Sequence, residues 1–206
     1  MVNPAETTPP TTDDGFDPME FWIRHKLKIL SLLGVFVVAA LIYAVYEYTE
    51  KRTHNAAAQA FSAAKTADEL RTVIAKHPGT APAANAHLLL AEQLRKDGKL
   101  DESNQVLNDF INRYPTNELI TGGYTSLAAN QEMQKKLDEA LMNYQKVTTS
   151  YPTSFSAPVA WLGQARIYKE QGKIEEAKRA YETVISQFPQ SNFAAEATRQ
   201  NAQLKK

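Results

Sequence analysis

The chain of 206 residues contains no cysteine. That excludes disulfides, thiolate zinc sites, iron–sulfur clusters and a lipid anchor on an N-terminal cysteine. Net charge is absent too, with 23 Lys and Arg against 23 Asp and Glu. A broad nucleic-acid surface needs a basic excess, so no nucleic acid is expected as a partner. Also missing are a phosphate loop, a dinucleotide fingerprint and an HExxH pair. The histidines do not assemble a site. His25 sits in a basic cluster, His54 is followed by alanine three and four positions on, and His77 and His87 occupy packing positions of a repeat. Asp138-Glu139 and Glu175-Glu176 look like paired carboxylates, but each pair opens a helix, where it favours the helix dipole and faces solvent. No catalytic residue, cofactor or metal site is expected, and an enzyme is the least favoured class.

What is present is unevenly distributed. Residues 1–20 hold Pro4, Pro9, Pro10 and Pro18, many threonines, and only acidic charges (Glu6, Asp13, Asp14, Asp17, Glu20). Such a segment buries too little surface to order itself, and it is expected as a disordered acidic tail. Residues 21–46 follow as a membrane flank and span. Phe21 and Trp22 precede the cluster Arg24, His25, Lys26 and Lys28, and Ile29–Tyr46 carries no charge over 18 residues. As a helix rising 1.5 Å per residue, that run covers roughly 27 Å, close to the hydrocarbon core of a bilayer. Trp22 stands at one edge, and Tyr43, Tyr46 and Tyr48 at the other, as aromatic belts do. A cleaved signal peptide has a shorter apolar run and a small-residue cleavage site, and neither fits. Three cations flank the N-side (Arg24, Lys26, Lys28) and two the C-side (Lys51, Arg52). The bias favours a cytoplasmic N-terminus with the rest outside, which in a bacterium means an inner-membrane protein with a periplasmic domain. Residues 47–65, rich in alanine and free of Gly and Pro, are expected to continue the helix as a stalk.

The remaining chain is periodic. Pro78, Pro115, Pro152 and Pro189 stand 37 residues apart. The same step aligns His77, Tyr114, Tyr151 and Phe188 before each proline. It also aligns Ala91, Ala128 and Ala165; Ser103, Ala140 and Ala177; and Leu107, Tyr144 and Tyr181. Thr80, Asn117, Ser154 and Ser191, two residues after each proline, are all N-cap types and are expected to cap the following helices. Each unit reads as two helices; in the last, helix A covers about 156–170 and helix B about 173–187, separated at Gly172. Gly122-Gly123 interrupts a helix start, which marks either a soft second unit or a close neighbour.

This pattern resembles the tetratricopeptide repeat. Trp161, Ala165, Tyr168, Ala177, Tyr181, Val184 and Pro189 stand at the family's spacing, although alanine replaces the family glycine of helix A in every unit. The resemblance implies an all-α solenoid of helix pairs over residues 66–190, with 191–206 as a more polar capping helix. It further implies a concave partner-binding groove on the A helices. Carried over by position, the groove residues are Asn85, Leu88, Glu92 and Arg95 in the first unit and Thr125, Ala129, Glu132 and Met133 in the second. The third contributes Val159, Leu162, Arg166, Lys169 and Glu170. Their mixed apolar and charged character suits a polypeptide segment. The groove lacks the basic and asparagine pattern of a carboxylate clamp.

The whole layout of tail, single span, stalk and short array resembles the ancillary subunits of the bacterial SecYEG translocon. That resemblance implies a protein-binding scaffold beside the translocon, with translocon subunits, periplasmic chaperones or emerging polypeptides as partners. A scaffold of another envelope complex (outer-membrane assembly, division or Tol–Pal type) is the alternative. An inverted protein that recruits cytosolic partners is a third reading, opposed only by the charge count.

Overall fold

A computed structural model describes residues 17–204, and the expected acidic tail lies almost wholly outside them. Among the described residues all regular structure is helical: α1 (Pro18–Ala63), α2 (Ala67–Lys76), α3 (Ala81–Lys96), α4 (Leu100–Arg113), α5 (Ile120–Met133), α6 (Leu137–Ser150), α7 (Ala157–Glu170), α8 (Ile174–Gln187) and α9 (Ala194–Gln203). The chain divides into two compact units, at residues 1–51 and 52–206.

In the first unit, Asp17 Oδ1 accepts from the backbone N–H groups of Met19 (2.8 Å) and Glu20 (3.3 Å) and so caps α1. The helix is long and apolar enough to cross a membrane. Its large side chains from Leu30 to Tyr46 are exposed on every face, with no polar stripe to turn towards water.

The second unit is a stack of antiparallel helix pairs, α3–α4, α5–α6 and α7–α8, followed by α9. Small residues sit where A and B helices cross. Ala91, Ala128, Ala140, Ala165 and Ala177 are buried, and Ser103 Oγ donates to the Ala91 carbonyl at 2.7 Å. Leu107, Tyr144 and Tyr181 are buried at one register position, and Phe110, Val147 and Val184 at another, as the 37-residue step implies. The end of α1 joins this unit: Ala60 and Phe61 pack with Leu70, Val73, Ala86, Leu90 and Leu94.

The turns repeat as closely as the cores. His77, Tyr114, Tyr151 and Phe188 each end a B-type helix with φ between −126° and −137° and ψ near 50°. The proline that follows each of them disfavours helical backbone at that residue. The A helices end differently. Gly98, Lys135 and Gly172, one step apart, adopt φ of 75°, 62° and 73°. The next residue's N–H then reaches back to the carbonyls of Leu94, Gln131 and Tyr168 at 2.8–2.9 Å, closing a Schellman turn.

The N-cap expectation holds at one site of four. Thr80 caps α3, accepting from the Ala83 N–H at 3.3 Å. Helices α5, α7 and α9 start two residues later than expected, at Leu119, Ser156 and Phe193, without a side-chain cap. The cause is a pair of consecutive tight turns. Asn117, Ser154 and Ser191 donate their N–H groups to Tyr114, Tyr151 and Phe188, and their own carbonyls accept from Ile120, Ala157 and Ala194. A fully formed cap appears instead before α2, where Thr66 and Glu69 bond each other's backbone reciprocally. The backbone N–H groups of Lys65, at 2.7 Å, and of Thr66 hold the Glu69 carboxyl below its ordinary range.

Of the two readings of Gly122-Gly123, close approach is the observed one. A Cβ on Gly123 would lie 2.8 Å from the Phe110 ring, whereas one on Gly122 would meet nothing nearer than 4.0 Å.

Candidate binding groove

The thirteen candidate groove residues lie on α3, α5 and α7, and most gather around three hollows. Asn85, Leu88, Glu92 and Arg95 line the first, of about 430 Å³, together with Leu107, Leu119, Ser126, Asn130, Phe61 and Phe155. Its floor is aliphatic. Glu92 pairs with Lys96 at 2.7 Å, and that bond holds the Glu92 carboxyl below its ordinary range. Arg95 has no ion pair among the described residues.

The other two hollows adjoin, because Glu132, Arg166 and Glu170 line both. One also takes Ala129 and Met133, and the other Leu162, Lys169, Tyr181, Glu196 and Gln200. Their shared wall is a three-residue junction. Arg166 on α7 grips Glu132 on α5 through both carboxylate oxygens, at 2.8 and 2.9 Å. Tyr144 on α6 donates its hydroxyl to the same carboxylate at 3.0 Å. A forked guanidinium on a carboxylate is among the stronger charge-assisted contacts. Burial, reinforced by the Glu132 charge, pushes the Tyr144 phenol far above its usual value, and the Glu132 bond pushes Arg166 upward as well. Neither group titrates in the ordinary range. Beside them Lys135 reaches Glu170 at 2.8 Å across the same repeat boundary.

Two candidates stand apart from these hollows. Thr125 is 9% exposed, and its hydroxyl donates back to the Thr121 carbonyl at 3.0 Å within its own helix. Val159 is half-buried on α7 and lines none of the three.

Sequence reasoning missed Phe61, Ser126, Asn130, Phe155 and Tyr181 as lining residues. Phe155 lies in the loop before α7 and is 68% exposed; a large aromatic in a polar loop was the available signal. Asn130 and Tyr181 had no such signal. Each is buried, and its Oδ1 or hydroxyl finds no partner among the described residues. Among the described residues no three His, Asp or Glu side chains converge as metal ligands would.

The sequence pattern of the tetratricopeptide repeat-like domain matches residues 19–205. No curated protein matches the chain. Several solved structures resemble it in fold. A tetratricopeptide repeat protein from Parabacteroides merdae aligns with a TM-score of 0.55 at 16% identity, covering 80% of this chain and 59% of its own. A putative kinesin light chain from P. anserina with nearly identical repeats gives 0.56 at 14% identity, over 75% and 84%. BtubC from P. vanneervenii gives 0.54 at 20%, over 75% and 65%. The chain thus spans about three fifths of the Parabacteroides protein. At these identities the likeness is one of fold.

Proposed function

The chain belongs to the tetratricopeptide repeat-like family, and from that premise we propose that it is a membrane-anchored protein-binding scaffold, an ancillary subunit beside a bacterial translocon. The observation that carries the reading is the coexistence in one chain of a membrane-length apolar helix and a helix-pair array with lined hollows. Residues 29–46 span the inner membrane, with residues 1–20 on the cytoplasmic side and the repeats, 66–190, in the periplasm. Arg24, Lys26 and Lys28 support that orientation through the positive-inside bias.

The groove residues on α3, α5 and α7 receive polypeptide segments of mixed apolar and polar character, from emerging chains or periplasmic chaperones. Leu88, Leu107 and Leu119 offer an aliphatic floor, and Arg95 and Lys169 offer charges with no ion pair among the described residues. The Glu132–Arg166–Tyr144 junction is already satisfied, and it keeps the groove in shape before a guest arrives. A preformed groove lowers the ordering cost of binding. Confinement to the membrane raises the local concentration of the repeats near other membrane proteins. No step of chemistry is proposed.

Topology is the first test. A C-terminal tag is followed by protease digestion in inverted and right-side-out vesicles. A tag exposed only in right-side-out vesicles, with translocon subunits recovered by crosslinking in native membranes, is the expected result. A tag cut in inverted vesicles overturns the orientation and the translocon role together. Recovery of outer-membrane or peptidoglycan-associated proteins alone favours the other envelope scaffold.

A further inference from the structure

The largest hollow described in the array lies away from the groove residues. It occupies about 680 Å³ between the B helices α6 and α8, with Trp161 and Tyr168 of α7 beneath it. The polar groups inside are paired with one another: Gln145 donates to the Tyr168 hydroxyl at 3.2 Å, and Gln164 to Thr148 Oγ1 at 2.8 Å. What stays open is apolar surface and charge. Met142, 69% exposed, stands at the rim, and Trp161 is partly exposed. Lys146 and Arg179 also line the rim and have no ion pair among the described residues; Glu176 is the one carboxylate there.

The corresponding hollow two units earlier, between α2 and α4, shows what is missing. It is smaller, about 290 Å³, and His87 holds the place of Trp161, 74 residues on. There the array supplies its own carboxylates. Asp109 takes the His87 ring nitrogen Nε2 at 3.0 Å, and Glu102 pairs with Arg71 at 3.1 Å. The residue at the Asp109 position, 74 residues on, is Thr183. The later hollow therefore carries Lys146 and Arg179 where the earlier unit has Thr72 and Gln105, keeps Glu176 at the Glu102 position, and lacks the Asp109 carboxylate.

We propose that the hollow between α6 and α8 is a second docking surface, which accepts an amphipathic protein helix bearing a large apolar side chain flanked by acidic residues. The apolar side chain rests on Trp161 beside Met142, and a carboxylate enters near Thr183 between Lys146 and Arg179. Burying an apolar anchor supplies the affinity, and the complementary charges supply selectivity and orientation. Two cations opposed by one carboxylate, around a recessed aromatic floor, suit a helix better than the flat charged plane of a lipid surface. The surface is independent of the groove on the A helices.

Trp161 reports on this directly, since the chain has only two tryptophans and the other, Trp22, lies in α1. The full chain carrying Trp22→Phe is purified in detergent micelles. It is titrated with an 18-residue helical peptide, free of Trp and Tyr, with leucine along one face and glutamate beside it. The expected result is a saturable blue shift of Trp161 emission with this peptide and none with its lysine counterpart. Lys146→Glu with Arg179→Glu should weaken binding at least tenfold and admit the lysine peptide. Thr183→Asp restores the internal carboxylate without touching the cations, so it should weaken binding severalfold even if the double reversal fails to fold. Unchanged emission, equal binding of both peptides, or a shift produced only by phosphatidylglycerol in mixed micelles would overturn the proposal.

Discussion

Gly163 on α7 lies flat against the ring of Tyr144 on α6: a Cβ built on the glycine would fall 2.3 Å from Cε2 and Cζ. The ring belongs to the preceding unit and is itself fully buried. The contact therefore sets how closely consecutive units stack, and it also aims the Tyr144 hydroxyl at Glu132. Gly163→Ala must push a ring that has no free space, at a cost of about 1–3 kcal/mol by the usual scale of overpacking. Urea denaturation followed by circular dichroism should show that loss, and the same transition in variant and parent would refute the reading.

The adjacent glycines of α5 should respond with opposite signs. Gly123→Ala meets Phe110 at 2.8 Å and should destabilise, while Gly122→Ala meets nothing closer than 4.0 Å. At Gly122 the helix preference for alanine stands unopposed, for a gain of up to about 1 kcal/mol. Paired denaturation curves check the contrast.

Lys135 holds a left-handed backbone, φ 62°, at a position where the other two units place glycine. Its exposed ion pair with Glu170 is a weak counterweight. Lys135→Gly and Lys135→Asn should both raise the thermal midpoint, because glycine and asparagine tolerate that conformation. A lower midpoint in both variants would mean that the ion pair dominates.

Tyr144→Phe removes a hydroxyl that donates to a carboxylate already gripped by Arg166, without changing the ring that faces Gly163. A loss of about 1.5–3 kcal/mol is expected, in line with hydrogen bonds to charged acceptors. Combining it with Glu132→Gln should cost less than the sum, since both changes remove the same contact.

Acid should weaken the first repeat, α3–α4, through Asp109. Partial burial would raise its carboxyl, but the hydrogen bonds from Arg113 and His87 outweigh that and hold it below the ordinary 3.8. A carboxyl depressed in the folded state stabilises above its unfolded pKa, and that stability is lost as pH falls through the folded value. Denaturation midpoints between about pH 5 and about pH 2 should therefore drop, and less steeply in Asp109→Asn. Equal slopes would show that Asp109 is not a contributor.

Local sequence determined the elements. A proline every 37 residues, with an aromatic or His77 before it, dictates where each B helix stops, because the residue before proline is kept from helical backbone. Small residues at one register position and large ones at another dictate which faces meet within a unit. The uncharged run Ile29–Tyr46 likewise marks α1 as long and apolar enough to cross a membrane. These are short-range consequences of backbone sterics and helical periodicity.

Tertiary structure alone decided what each unit shows to the next. Glu132 and Arg166 lie 34 residues apart, off the 37-residue step, and meet only because α7 packs on α5. The same stacking buries Thr125, leaves Gly122 open while closing Gly123, and draws Ala60 and Phe61 of α1 into the array. The physical reason is that a repeat fixes its own helices through local periodicity. The rotation between repeats is instead set by many side chains packing at once, and no residue's place in the period reveals it.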